Sequence, residues 1–281
     1  MQFVTSVKQF AVKIDERLFG GDFKQFAVKI DERLFGGRLV CLCHRGLAQR
    51  MHRKVKSRYG FSFGVSYNRD PPSDLNSLCD QYGADKGYYT LYESQPYLYP
   101  SNTYADFYTL FFHHRRNFYK VIECGIGTNS PTWKSSTGGK PGASLRVWRD
   151  YFPNAEIIGI DIDQDLLFHE DRIRTYQCDQ TSRVSIRAFM EEAEVAKGSI
   201  NLVIDDGLHR FIAGVTLFEE LIASLDDEGI YIIEDVRRSD LQKYMNYFDA
   251  KSNLFNVFFV HLNQPRVGVR DNRLVVISKK K

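Results

Sequence analysis

The chain has 281 residues, 43% of them apolar, enough to bury the core of one large domain with an appendage. No run approaches the roughly 18 consecutive apolar residues that would signal a bilayer-crossing helix, so no membrane span is expected. The net charge of +3 conceals an asymmetry, with 13 Lys/Arg against 5 Asp/Glu in residues 1–60 and 25 against 30 beyond them. A basic leader on an acidic body permits contact with nucleic acid or anionic lipid. A solvated tail is the simpler reading, and nucleic acid is not an expected partner.

The leader contains a literal repeat. Lys8 to Gly21 and Lys24 to Gly37 are the same fourteen residues, KQFAVKIDERLFGG. Two identical short copies do not make a solenoid, which needs three or more units to bury a core. Early charges at Lys8, Lys13, Asp15 and Glu16 interrupt any secretory pattern. Residues 1–60 are therefore expected to be a poorly ordered leader. Five cysteines, Cys41, Cys43, Cys79, Cys124 and Cys178, follow no disulfide-framework spacing, which favours a reducing compartment and the cytoplasm. Cys41-Leu42-Cys43-His44 is half of a metal pattern without a second half, and ordinary thiols are expected there.

Residues 61–119 read as a Tyr-rich helical cap, with helices predicted over Leu75–Tyr82 and Tyr104–Phe118 and turns at Pro71-Pro72 and Pro96 to Pro100. From Lys120 to the end at residue 281 strands and helices alternate. The strand candidates are Val121–Ile126, Ile157–Ile162, Ile173–Cys178, Ile200–Ile204 and Ile230–Ile233. Helices are predicted over Ala143–Tyr151, Ser182–Ala196, Phe211–Leu225 and Asp240–Phe248. Such alternation implies right-handed βαβ units. Phe255–Leu262 and Leu274–Ser278 follow, with no room between them for a crossover helix, so a hairpin must close the sheet. The expected fold class is α/β, a Rossmann-like, doubly wound, mostly parallel sheet ending in an antiparallel hairpin. That arrangement resembles the class I methyltransferase architecture.

Open sheets of this kind bind ligands at the carboxyl ends of their strands. After the first strand comes Glu123-Cys124-Gly125-Ile126-Gly127, where Gly125 and Gly127 permit a sharp turn and a close backbone approach. Ser130 stands where a dinucleotide fingerprint needs its third glycine. An acid at Glu123 suits the cationic ligand S-adenosylmethionine better than phosphates. Asp161, at the end of the second strand, is the candidate for the ribose hydroxyls, and Asp179 and Gln180, after the third, for the adenine edge. The Ser-, Thr-, Gly- and Pro-rich stretch from Asn129 to Gly142 is a candidate lid. The fourth and fifth strands end in Asp205-Asp206 and Glu234-Asp235. Neighbouring strands lie about 4.8 Å apart, so these acids can converge on one cation, with Asp205 on the cofactor side.

Asp205-Asp206-Gly207-Leu208-His209 followed by Ile233-Glu234-Asp235-Val236 resembles the paired signature of the macrocin/mycinamicin-type sugar O-methyltransferases. Tyr82-Gly83-Ala84-Asp85-Lys86-Gly87 and Trp148 to Ala155 are similar to other blocks of that family. The likeness runs over roughly residues 75–278. It implies S-adenosylmethionine and magnesium as cofactors and a sugar or glycoside hydroxyl as acceptor. Carried over by position, Asp206, Glu234 and Asp235 are the implied metal ligands and His209 the general base. Lys86, Tyr88 and Tyr92 are candidates to touch substrate or the cofactor's methionine end. Two departures bear on the acceptor: Leu208 replaces the usual serine, and the insertion after Gly127 is long. The alternatives are an NAD(P)-dependent sugar oxidoreductase or epimerase, and a non-catalytic binding module. The former is disfavoured by the missing glycine and the closing hairpin. Homo-oligomer formation stays open.

Overall fold

In a computed structural model, residues 63–65, 73–87, 104–129, 141–262 and 272–280 are described. The duplicated leader, the Cys41–His44 pattern, Tyr88, Tyr92 and nearly all of the candidate lid lie outside them.

Among the described residues nine strands form one sheet: β1 (Phe63–Val65), β2 (Lys120–Cys124), β3 (Glu156–Asp161), β4 (His169–Glu170), β5 (Ile173–Gln177), β6 (Ile200–Asp205), β7 (Leu225–Ile233), β8 (Phe255–Leu262) and β9 (Arg273–Lys279), in the order β1-β8-β9-β7-β6-β2-β3-β5-β4. β2 pairs in parallel with both β3 and β6, and β3–β5 and β6–β7 are parallel too. β9 runs antiparallel to both β7 and β8, as the missing crossover required. From β2 at the centre the chain winds outward through β3 and β5, then returns to β6 on the other side. The switch point, where a crevice opens, lies between β2 and β6.

Helices cover both faces. On one, α1 (Asp74–Tyr82), α2 (Tyr104–Phe111) and α3 (Ala143–Tyr151) share an apolar cluster with Val121, Ile157, Leu202 and Ile232. On the other, α4 (Arg183–Glu192), α5 (Phe211–Leu221) and α6 (Arg238–Asp249) pack on Ile122, Ile158, Val203 and Tyr231. Successive strand residues thus feed opposite layers, which explains why the strands read as unbroken apolar runs.

The boundaries differ from expectation in ways with local causes. α2 stops at Phe111 rather than Phe118, because the chain turns at Phe112 to enter β2. Arg116 pins that turn, its guanidinium 3.7 Å from the Tyr151 ring centroid and its Nε donating to the Tyr151 carbonyl at 2.7 Å. α4 ends at Glu192 rather than Ala196, and Glu194 follows at φ 51°. α5 ends at Leu221 rather than Leu225, since Leu225 already opens β7. β7 starts well before Ile230, and its pairing with β6 shifts register between Ile200 and Leu202. β1 and β4, three and two residues long, carry too little pattern to be read from sequence.

Candidate active site

The ends of β2, β6 and β7 are stitched together by backbone. The Asp206 N–H donates to the Cys124 carbonyl at 2.9 Å, and the Glu234 N–H to the Asp205 carbonyl at 2.9 Å. Asp205 pairs with Ile233 across the parallel ladder. The two acidic pairs therefore face each other at one rim.

The turn after β2 closes onto this rim. Gly125 has φ 86°, and a Cβ there would lie 2.3 Å from the Asp206 carbonyl oxygen. The close approach that demands glycine is to the neighbouring loop. Gly127 also has a positive φ, 118°. Asp161 braces the same turn, accepting from the Ile126 N–H at 2.9 Å and the Asp163 N–H at 3.0 Å. Asp179 accepts from the Thr181 N–H at 2.8 Å and the Thr181 hydroxyl at 2.7 Å. Gln180 is buried and bridges two loops: its amide donates to Asp205 Oδ1 at 3.0 Å, and its carbonyl oxygen accepts from the Leu208 N–H at 2.5 Å. Asp205 is buried as well, and burial pushes its carboxyl up to about 6 against the hydrogen bonds from Gln180 and Gly207.

Glu123 is fully buried and accepts from the Ser144 hydroxyl at 2.7 Å and the Trp148 indole at 3.1 Å. Burial raises its carboxyl, while Lys86, whose Nζ is 3.2 Å away, works the other way. Glu123 thus sits beneath the glycine turn rather than at the crevice surface. Lys86 lies in the turn after α1. Its ammonium contacts Asp206 Oδ2 and Glu234 Oε2, each at 2.6 Å. Burial alone would push this ammonium down, but Asp206, Glu234 and Glu123 hold it well above the usual lysine value. The other Glu234 oxygen accepts from the Tyr108 hydroxyl. Tyr104, one turn earlier on α2, donates its hydroxyl to Asp235 Oδ1, and the Asp235 N–H donates back to the Tyr104 oxygen at 3.2 Å.

His209 and Asp235 both adopt left-handed backbone angles, φ 52° and 50°. Such angles are uncommon for residues other than glycine and concentrate at functional positions. His209 Nε2 lies 3.9 Å from Asp235 Oδ2, and His209 Nδ1 is buried without a hydrogen-bond partner among the described residues. One ligand atom each from Asp206, His209 and Asp235 fall within 4.8 Å of one another. The two carboxylates are hard oxygen donors that fit a divalent cation, and the imidazole with its unsatisfied nitrogen stands within reach of anything they hold. The N-cap residue of α5 is Arg210, which makes no side-chain cap hydrogen bond, while the Asp206 carboxylate is engaged by Lys86. Asp85, in the turn beside Lys86, has its carboxyl pushed up to about 8 by burial and by Asp206 and Asp235.

The sequence brought the acids and His209 to notice but assigned nothing to Tyr104, Tyr108 or Asp85. The two tyrosines sit four residues apart, hence on one helix face. That spacing was the available signal.

No protein-family model matches the chain. Over 129 residues it is 33% identical to 8-demethyl-8-alpha-L-rhamnosyl tetracenomycin-C 2'-O-methyltransferase of Streptomyces olivaceus, covering 46% of this chain and 32% of that one. Over 124 residues it is 34% identical to mycinamicin VI 2''-O-methyltransferase of Micromonospora griseorubida, covering 44% and 28%. Among solved structures it is similar to MycE methyltransferase from the mycinamycin biosynthetic pathway in complex with Mg, SAH and mycinamycin VI. The TM-score is 0.53 at 22% identity, over 76% of this chain and 56% of that one. The sheet order and this likeness agree. The fold is that of the class I methyltransferases. The matched segments span about a third of the length of these two curated relatives.

Proposed function

We propose that the protein is an S-adenosylmethionine-dependent O-methyltransferase that works with magnesium on a hydroxyl of a sugar or glycoside. The observation that carries this reading is the convergence of Asp206, His209 and Asp235 beside the glycine turn of a methyltransferase sheet. The sugar O-methyltransferases among its relatives support it.

In this reading Gly125, Gly127, Asp161 and Asp179 line the cofactor crevice, braced from behind by Glu123, Gln180 and Asp205. Asp161 uses one lone pair on each oxygen for the turn and retains capacity for ribose hydroxyls. Asp206, Glu234 and Asp235 are the acids that would hold the metal. Bound there, magnesium would lower the pKa of a chelated sugar hydroxyl, and S-adenosylmethionine would supply the electrophilic methyl. His209 takes the hydroxyl proton and carries it away from the new ether oxygen. Much of the acceleration comes from alignment, which can supply up to about 7–11 kcal/mol. Buried free thiols at Cys79, Cys124 and Cys178 support a reducing compartment, the cytoplasm. No helix among the described residues is long and apolar enough to cross a membrane.

The test is transfer of labelled methyl from S-adenosylmethionine to rhamnosyl and other deoxyhexosyl polyketide glycosides, with magnesium or with chelator. Transfer that requires magnesium is expected. Asp206→Asn should abolish turnover while cofactor affinity stays within a few-fold. Collapse of cofactor binding in that variant would move Asp206 from the metal to the nucleoside and overturn the assignment.

A further inference from the structure

Lys86 stands where a cation bridging two acids would stand. Its Nζ is 2.6 Å from Asp206 and 2.6 Å from Glu234, with Glu123 at 3.2 Å, and its side chain is 3% exposed. The acids come from the ends of β2, β6 and β7, whereas the lysine arrives from the separate turn after α1. Magnesium binds oxygens at about 2.0–2.1 Å, so an ion shared by Asp206 and Glu234 would compete for nearly the same point. Two cations in contact within a poorly solvated pocket repel strongly.

Resting on the metal-dependent reading above, we propose that Lys86 is the built-in counter-cation of the metal-free protein, seated between Asp206 and Glu234 and driven off Asp206 when a divalent ion binds. The burial of the partners sets the direction of the exchange. Asp206 is 23% exposed, while Glu234 and Glu123 are 1% and 0% exposed. The Asp206 contact lies on the open side and yields first. Lys86 then remains over the buried Glu123 and shares Glu234 with the ion, which Asp206 and Asp235 complete on the open side. The incoming ion finds Asp206 and Asp235 at the rim, with Asp235 already fixed by Tyr104. Lys86 is thus a positioning residue that sets the strength of metal binding.

The experiment is calorimetric titration of the purified full-length protein with Mg2+ and with Mn2+, without cofactor or acceptor, for wild type, Lys86→Met and Lys86→Gln. Both variants should bind the divalent ion at least about tenfold more tightly than wild type, because a like charge has been removed from the pocket. The ion should also raise their melting temperature more than it raises that of wild type. Unchanged, weaker or undetectable binding in variants with native circular dichroism overturns the proposal. If neither variant folds, wild-type crystals grown with and without Mn2+ decide. An Nζ beyond hydrogen-bond reach of Asp206 in the loaded form supports the exchange, and an Nζ still in contact refutes it. Tighter metal binding in the variants combined with no methyl transfer by wild type would sink the proposed activity and leave this inference standing.

Discussion

At the scale of single residues, the rim is held by donors reaching in from far along the chain. Tyr104 is 131 positions from Asp235, Tyr108 is 126 from Glu234, and Lys86 is 120 from Asp206. The left-handed angle at Asp235 costs roughly 1–2 kcal/mol in an L-residue, and its reciprocal hydrogen bonds with Tyr104 offset that cost. Tyr104→Phe removes both bonds. It should lower stability by about 1–3 kcal/mol in urea unfolding and weaken metal binding in calorimetry. An unchanged metal affinity would show that Asp235 keeps its place without the tyrosine. His209→Ala should reduce turnover by about 10²–10⁴ with cofactor affinity unaffected, since a general base contributes in that range. A wild-type rate in that variant removes His209 from the chemistry. His209 came to notice through the resemblance of Asp205 to His209 to a family signature, whereas Tyr104 and Lys86 were not tied to the acids by any local pattern.

Among the elements, the turn after β2 does more than shape a crevice. Gly125→Ala places a Cβ 2.3 Å from a backbone oxygen at a φ that alanine resists, so the turn and the Asp206 loop must separate. A stability loss of about 1–3 kcal/mol should accompany a loss of methyl transfer. Native stability in urea would mean that the two loops relax independently. The closing hairpin brings a pH dependence. His261 on β8 is partly buried, and burial, then Arg273, lowers its imidazolium below the ordinary 6.5. Above that pH both folded and unfolded chains are neutral there. As pH falls through 6.5 the unfolded chain takes up the proton first, so stability declines until the folded pKa is passed. Urea midpoints at pH 8 and 5.5 should converge in His261→Gln relative to wild type. An equal gap in both proteins assigns the acid sensitivity elsewhere. β8 and α3 match their expected limits because each begins and ends at sharp changes of pattern. The ends of α2, α4 and α5 did not, because buried Phe112, Ala193 and Leu225 extend the apolar pattern past the last helical turn.

For the molecule as a whole, alternating side chains along the central strands feed two apolar layers, and the order of strands follows from topology rules that the sequence already obeyed. The sheet was therefore readable without coordinates. What was not readable is that α1 and α2 belong to the site as much as to the core. α1 packs on both α2 and α3, and on α2 Tyr108 stands edge-on to the buried Trp148 at 5.6 Å between ring centroids, while the same tyrosine's hydroxyl serves Glu234.

A helix whose aromatic faces bind the core and whose hydroxyls bind the acids makes activity hostage to its attachment. Gentle warming that peels α2 from the sheet should silence the proposed methyl transfer first. Far-ultraviolet dichroism would still report an intact β scaffold, while indole emission had already begun to change.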